Sequence, residues 1–220
     1  MSFVVVTSCT NRKRFQSSEA LQARSLHRGL LEDVAHQWVE RVKADPGQTP
    51  TVDLYQGRGF QEAVKASSSS DGAMFVLSAG LGIVREDQLI PAYSLTLTAG
   101  SADSVQEKIV RSIHPTEWWE ALSSAWDQPT PFADLARDFP KRRVLVACSE
   151  IYAQMISRDI ETLPEIERRR VRLFGPRHPS RLPSALRQLV MPYDERFDGI
   201  NGPFRGTRSD FPHRTLRHFV

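Results

Sequence analysis

Short apolar runs rich in β-branched residues, alternating with amphipathic stretches, constrain this chain more than any other feature. The runs are Phe3–Ser8, 52–55, Met74–Ser78, 143–148 and Val171–Phe174. Each is too short for a buried helix and reads as a buried strand. Ser17 and Ser18 stand where they would cap a long helix, whose apolar residues Leu21, Leu26, Leu30, Val34, Trp38 and Val42 recur at three- to five-residue steps before Pro46-Gly47. Further helices are expected over 60–65, from Ser101 with a break at His114-Pro115 and resumption through Trp118, Trp119 and Leu122, and after Ser149 through Ile151, Met155 and Ile160. Segments 67–72 and 79–99 read as turn and loop, and Pro129 with Pro131 as a connection. Strands alternating with helices predict an α/β fold: a three-layer, mostly parallel, doubly wound sheet with helices on both faces.

With 220 residues, 40% hydrophobic and 25% charged, the chain has globular composition, which excludes disordered and fibrous classes. A single domain over 1–220 is expected, with 191–220 a basic, loop-rich extension packed on it. Cys9 and Cys148 are the only cysteines, too few for a disulfide scaffold or a Cys-rich zinc site. No run approaches the roughly 20 apolar residues of a membrane span. The start lacks a basic flank and reads as a first strand rather than a signal peptide, so no membrane partner and a cytoplasmic setting are expected. The histidines, at 27, 36, 114, 178, 213 and 218, lack metal-ligand spacing, and neither a metal nor a cofactor is expected.

The net charge of +3 conceals an asymmetry. Residues 168–220 carry twelve arginines and no lysine against four acids, a balance of +8, which leaves −5 for residues 1–167. Such a basic segment suits phosphate contacts, and scattered surface arginines are the plain alternative.

Two strand exits look alike, Val4-Val5-Val6-Thr7-Ser8-Cys9-Thr10 and Val144-Leu145-Val146-Ala147-Cys148-Ser149. In open α/β sheets ligands bind at the carboxyl ends of strands, so both exits are candidate site loops. A third candidate is Ser78-Ala79-Gly80-Leu81-Gly82, followed by Asp87 and Tyr93. It lacks both the GxxxxGK[ST] phosphate loop and the GxGxxG dinucleotide fingerprint.

Ser8-Cys9-Thr10 with Lys13, Tyr55-x-Gly57-x-x-Phe60, Ser78-Ala79-x-x-Gly82-Ile83-Val84 and Pro91-x-Tyr93-x-x-Thr96-Leu97 occur in an order and spacing that resembles the YaaA-like superfamily of small bacterial and phage proteins. The resemblance covers about residues 3–98. It implies an association with DNA, and the first strand with its Pro-x-Tyr element is also similar to the uracil-DNA-glycosylase-like domain of archaeosine synthase. The Gly-Gln-Asp-Pro-Tyr motif that carries the water-activating aspartate of uracil-DNA glycosylases is absent after the first strand.

The stretch from Met191 to Phe211 adds Tyr193, Asp194, Arg196, Gly202-Pro203, Phe204, Arg205, Arg208 and Asp210. Arg205, Arg208, Arg214 and Arg217 are placed to track a phosphate backbone, and Tyr193, Phe204 and Phe211 to stack on an exposed base. The alternative is a tail pinned by Arg–Asp pairs, with Ser209 capping a last helix. Excising a base needs a flipped-out nucleotide, a stacking pocket and an acid. The expected function is thus a DNA glycosylase for a damaged or modified base, such as those of phage genomes, in an antiviral role. Its candidate catalytic residues are Asp87, Asp194 and Asp210. Its base-binding candidates are Ser8, Cys9, Ser78, Gly82, Tyr93 and Tyr193, and its phosphate contacts Lys13, Arg196, Arg205, Arg208 and Arg214. Lys13 also has the chemistry for a Schiff base. The alternatives are a DNA-binding stress protein without turnover and a hydrolase or transferase of free nucleosides.

Overall fold

A computed structural model describes residues 2–69, 73–176, 178–198 and 204–220. Part of the expected 67–72 turn and the Gly202-Pro203 pair lie outside the described residues. Strand β1 (Phe3–Ser8) lies at the centre of a five-stranded sheet, because every residue from Phe3 to Thr7 is buried and both its faces must be covered. The two-residue strand β2 (Thr49–Pro50) belongs to a separate ribbon. In the main sheet β3 (Met74–Ser78) pairs parallel with β1 on one side, with Ser8 opposite Leu77. β4 (Gly82–Arg85) returns antiparallel along β3, placing Gly82 beside Ser78, and β5 (Leu89–Ile90) pairs with β2. β6 (Arg143–Ala147) joins β1 on its other side and β7 (Val171–Phe174) follows, both parallel. The order is β4-β3-β1-β6-β7. A mostly parallel sheet flanked by helices is therefore present, as expected.

The helices depart from expectation in instructive ways. Helix α1 runs over Leu31–Ala44, and its N-cap, Leu30, makes no side-chain capping bond. Ser17 and Ser18 do not start it. Leu21, Ala23 and Leu26 are buried through two 3-10 turns at Glu19–Leu21 and Ala23–Ser25, so their spacing reports packing and not one continuous helix. The expected strand at 52–55 is instead the single-turn helix α2 (Thr51–Leu54), with Thr51 and Leu54 buried beneath the small ribbon. Helix α3 spans Arg58–Ser67. Helix α4 (Pro115–Ala125) is capped by His114, whose ring accepts from the Thr116 N–H while Glu117 accepts from the His114 N–H. Pro131, expected in a connection, occupies the first turn of α5 (Pro131–Asp138), where proline costs no hydrogen bond.

After β6 come α6 (Glu150–Met155), α7 (Ser157–Glu161) and α8 (Glu165–Arg168), and after β7 the short α9 (Ser184–Arg187). Helix α10 (Phe211–Phe219) packs against α3, β6 and β7, while α1, α4 and α6 pack side by side. Its N-cap is Asp210; Ser209, expected in that role, bonds to Thr207 instead. Docking of α10 depends on two glycines. A Cβ on Gly59 would lie 2.7 Å from His213 Nδ1, and one on Gly175, whose φ is +119°, would lie 2.4 Å from the Cys148 carbonyl and 2.5 Å from Pro212. No described helix is long and apolar enough to cross a membrane.

Candidate functional site

Connections leaving β1 travel to one side of the sheet and those leaving β6 to the other, so the chain parts above these adjacent strands and opens a crevice at their carboxyl ends. A cleft of about 560 Å³ lies there. Its lining combines the exit of β1 (Ser8, Cys9, Thr10, Asn11, Arg12), the first turn of α3 with Gly57, Tyr152 of α6, Thr96 and Thr98, and Thr207, Ser209, Asp210 and His213 around α10. A smaller hollow of about 280 Å³, sharing Ser8, Ser209 and His213, extends it towards Ser149 and Arg208. The lining is rich in hydroxyls, with two arginines and one carboxylate, and its size suits a nucleoside-sized ligand.

Asp210 is buried, 4% exposed, and its two oxygens differ. Oδ1 accepts from Arg214 Nε at 2.7 Å and from the Thr207 N–H at 2.8 Å; Oδ2 faces only Arg58 Nε, at 3.4 Å, among the described residues. Arg58 also donates to the Arg205 carbonyl. Oδ2 is thus the less engaged of the two oxygens. His213 is buried, with neither ring nitrogen hydrogen-bonded among the described residues, and burial pushes its pKa down to about 4. Its imidazole is therefore neutral near pH 7, with a donor and an acceptor unused. Cys9 Sγ and Tyr152 Oη lie 3.0 Å apart, and burial raises the Tyr152 pKa well above the usual phenol value. Burial likewise pushes the Cys148 thiol up to about 12.

Of the expected site residues, Ser8, Cys9 and Asp210 meet in this cleft. Asp87 does not. Because β4 runs antiparallel to β3, the chain returns to the opposite end of the sheet, where Asp87 is solvent-exposed and pairs with Arg85 at 3.2 Å. Asp194 lies on the surface in an ion pair with Arg196 at 2.6 Å, which holds its carboxyl below the usual range. Ser78 and Tyr93 are buried in the core, linked as Tyr55 Oη–Tyr93 Oη at 2.7 Å and Tyr93 Oη–Ser78 Oγ at 2.6 Å. Ser78 Oγ also accepts the Gly80 and Leu81 N–H groups, so it shapes the turn to β4. Gly82, with φ +73°, closes that turn and is buried.

Tyr193 packs edge-on to Phe197 and His218 and donates to or accepts from His218 Nδ1 at 2.9 Å. It borders a separate hollow with Asp194, Arg196 and Arg208. Arg205 is exposed, and Arg208 is exposed between this hollow and the extension of the cleft. Arg214 is 1% exposed and pairs with both Asp198 and Asp210 at 2.7 Å; it holds the C-terminal segment together and cannot reach a phosphate. Arg217 pairs with Glu62, and Arg170 donates to the carbonyls of Phe139, Arg142 and Ala136. Much of the basic segment thus binds its own chain. Lys13 lies in an adjoining cavity.

Arg12, Arg58, Tyr152 and His213 were not expected. The Gly57-Arg58-Gly59 triplet between two elements was the available signal for Arg58; His213 has no local pattern, since α10 brings it from far along the chain.

Fold and cleft together define a mixed α/β protein with a polar cleft at the point where the strand order reverses. Comparison with family models, curated proteins and solved structures finds no match.

Proposed function

We propose that the chain cleaves an N-glycosidic bond, releasing a damaged or modified base from DNA by hydrolysis. The observation that carries this reading is the Asp210 carboxylate: of the three candidate acids it alone lines the cleft, with Oδ2 lightly held. Departure of a base builds positive charge at the sugar's anomeric carbon, and a fixed carboxylate beside it lowers that barrier and orients the attacking water. The neutral His213 ring offers a hydrogen bond to the base. Arg12, exposed at the cleft, suits the flanking phosphate of a nucleotide turned out of its stack. The resemblance of residues 3–98 to the YaaA-like superfamily supports a DNA substrate.

The test incubates the protein with unmodified, damaged and phage-modified DNAs and with free nucleosides, and reads released base by mass spectrometry. Release is expected from at least one modified DNA, reduced about 100-fold or more by Asp210→Asn. Because Asp210 also binds Arg214, thermal unfolding of the variant accompanies the assay. Arg12→Ala, a surface change, is expected to weaken turnover on DNA more than on nucleosides. DNA binding without release from any substrate would replace this reading with the non-enzymatic one; turnover confined to nucleosides would replace the substrate.

A further inference from the structure

Next to the cleft, and sharing Asn11 with it, is a second cavity of about 410 Å³. Lys13, Phe15, Gln22, Arg24 and Ser94 are among its walls, and no carboxylate lines it among the described residues. Backbone bonds fix these walls. Lys13 forms an antiparallel bridge with Tyr55, and the Arg14 N–H donates to the Leu54 carbonyl at 2.9 Å. Opposite, the Ala23 N–H donates to the Ser94 carbonyl and the Ser94 N–H to the Leu21 carbonyl, both at 2.8 Å.

Lys13 brings a charge that its own chain does not neutralise. Its Nζ donates to the Thr10 carbonyl at 3.2 Å and lies 4.2 Å from the Tyr93 ring centre, two contacts that favour the ammonium. No carboxylate pairs with it among the described residues: Asp103, whose charge acts on it, is held by Arg24 at 3.0 Å and by Ser94 at 2.7 Å. An ammonium has three donors, and among the described residues the Thr10 carbonyl takes one of them. A half-buried cation with donors to spare, in a cavity free of acids, is suited to an anion.

Phe15 stands at the same cavity with 51% of its surface exposed and the Arg14 guanidinium 5.5 Å from its ring centre. An exposed phenylalanine alone is ordinary. Beside an unneutralised cation it completes the pair that a nucleotide requires, a charge for the phosphate and a ring face for the base.

We propose that the second cavity is the subsite for the nucleotide next to the one in the cleft, its phosphate at Lys13 and its base on Phe15, so that the ligand is a single strand of DNA crossing over Asn11. The inference rests on the DNA-substrate part of the proposed function and narrows it from a nucleoside-sized ligand to a strand. Arg12 in the cleft and Lys13 in the cavity then take different phosphates.

Binding is measured with a fluorescent single strand of about ten nucleotides and with a nucleoside 5′-monophosphate, each across a salt series. Neither probe requires base release, so the outcome is independent of whether a base is excised. The strand is expected to bind more tightly than the monophosphate. Phe15→Ala is expected to lower strand affinity about tenfold with an unchanged salt slope. Lys13→Gln is expected to lower it about tenfold and to reduce the slope of log K against log salt by about 0.7. Neither change is expected to alter affinity for the monophosphate. Unfolding midpoints accompany both variants, and Phe15→Ala, a surface change, decides alone if Lys13→Gln lowers the midpoint. Unchanged strand affinity in Phe15→Ala, an unchanged salt slope in folded Lys13→Gln, or an equal loss of monophosphate affinity in either variant would overturn the proposal. Base release persisting beside such a result would leave the proposed function standing on a smaller substrate.

Discussion

Arg214 Nε and Asp210 Oδ1 lie 2.7 Å apart with both side chains withdrawn from solvent, joining the start of α10 to the loop that walls the cleft. Removing Arg214 leaves the buried Asp210 carboxylate with only the more distant, exposed Arg58 as a cation partner among the described residues. Arg214→Met is expected to cost about 3–5 kcal/mol in denaturant unfolding. Because Arg214 also holds Asp198 and the Thr207 carbonyl, the variant is expected to lose ligand affinity as well as stability.

His213 links stability to pH. Its folded pKa of about 4 lies below the ordinary 6.5, so between these values the unfolded chain binds the extra proton. Stability is therefore full above the unfolded value and falls as pH drops through this window, by about 2 kcal/mol at pH 5. Urea unfolding at pH 7 and pH 5 measures the difference. His213→Phe is expected to flatten it.

Asp159, buried between helices, accepts from the Phe132 N–H at 2.8 Å, the Ala133 N–H at 3.1 Å and Trp119 Nε1 at 3.2 Å. It thus caps α5 from a different helix. Asp159→Ala leaves three buried donors unpaired and is expected to lower stability by about 3 kcal/mol in thermal or urea unfolding. Burial raises its pKa, so the folded chain holds this proton more readily than the unfolded one. This residue's contribution declines as pH rises above the ordinary carboxylate range, opposite in sign to His213.

The arginines divide into those that face solvent and those that bind the chain, and salt-dependent binding separates them. Arg12→Ala is expected to lower DNA affinity and reduce the slope of log K against log salt by about one. Arg170→Ala removes bonds to three carbonyls and is expected to lower the unfolding midpoint without changing that slope.

The central strands were legible because residues 3–7 of β1 and 144–147 of β6 are buried throughout, covered on both faces, which writes a nearly unbroken apolar run. β4 was not: Gly82–Arg85 is an edge strand that alternates buried with more exposed residues and opens on a glycine. α5 was hidden by prolines that read as breakers until Pro131 is seen at its first turn. In the site, Ser8 and Cys9 followed from a strand's carboxyl end, a local rule. Asp210 was named among three equal candidates, and only the antiparallel return of β4 and the surface pairing of Asp194 set the other two aside. His213 and Tyr152 depend on how distant helices dock, which no local spacing records.

The cleft is assembled from segments scattered along the whole chain, and α10 supplies its last wall. A polypeptide ending after β7 would still contain all five strands of the sheet, yet it would lack both Asp210 and His213. Without residues 204–220 the sheet would be complete but the cleft would be an open shelf, lacking the wall formed by Thr207, Ser209, Asp210 and His213.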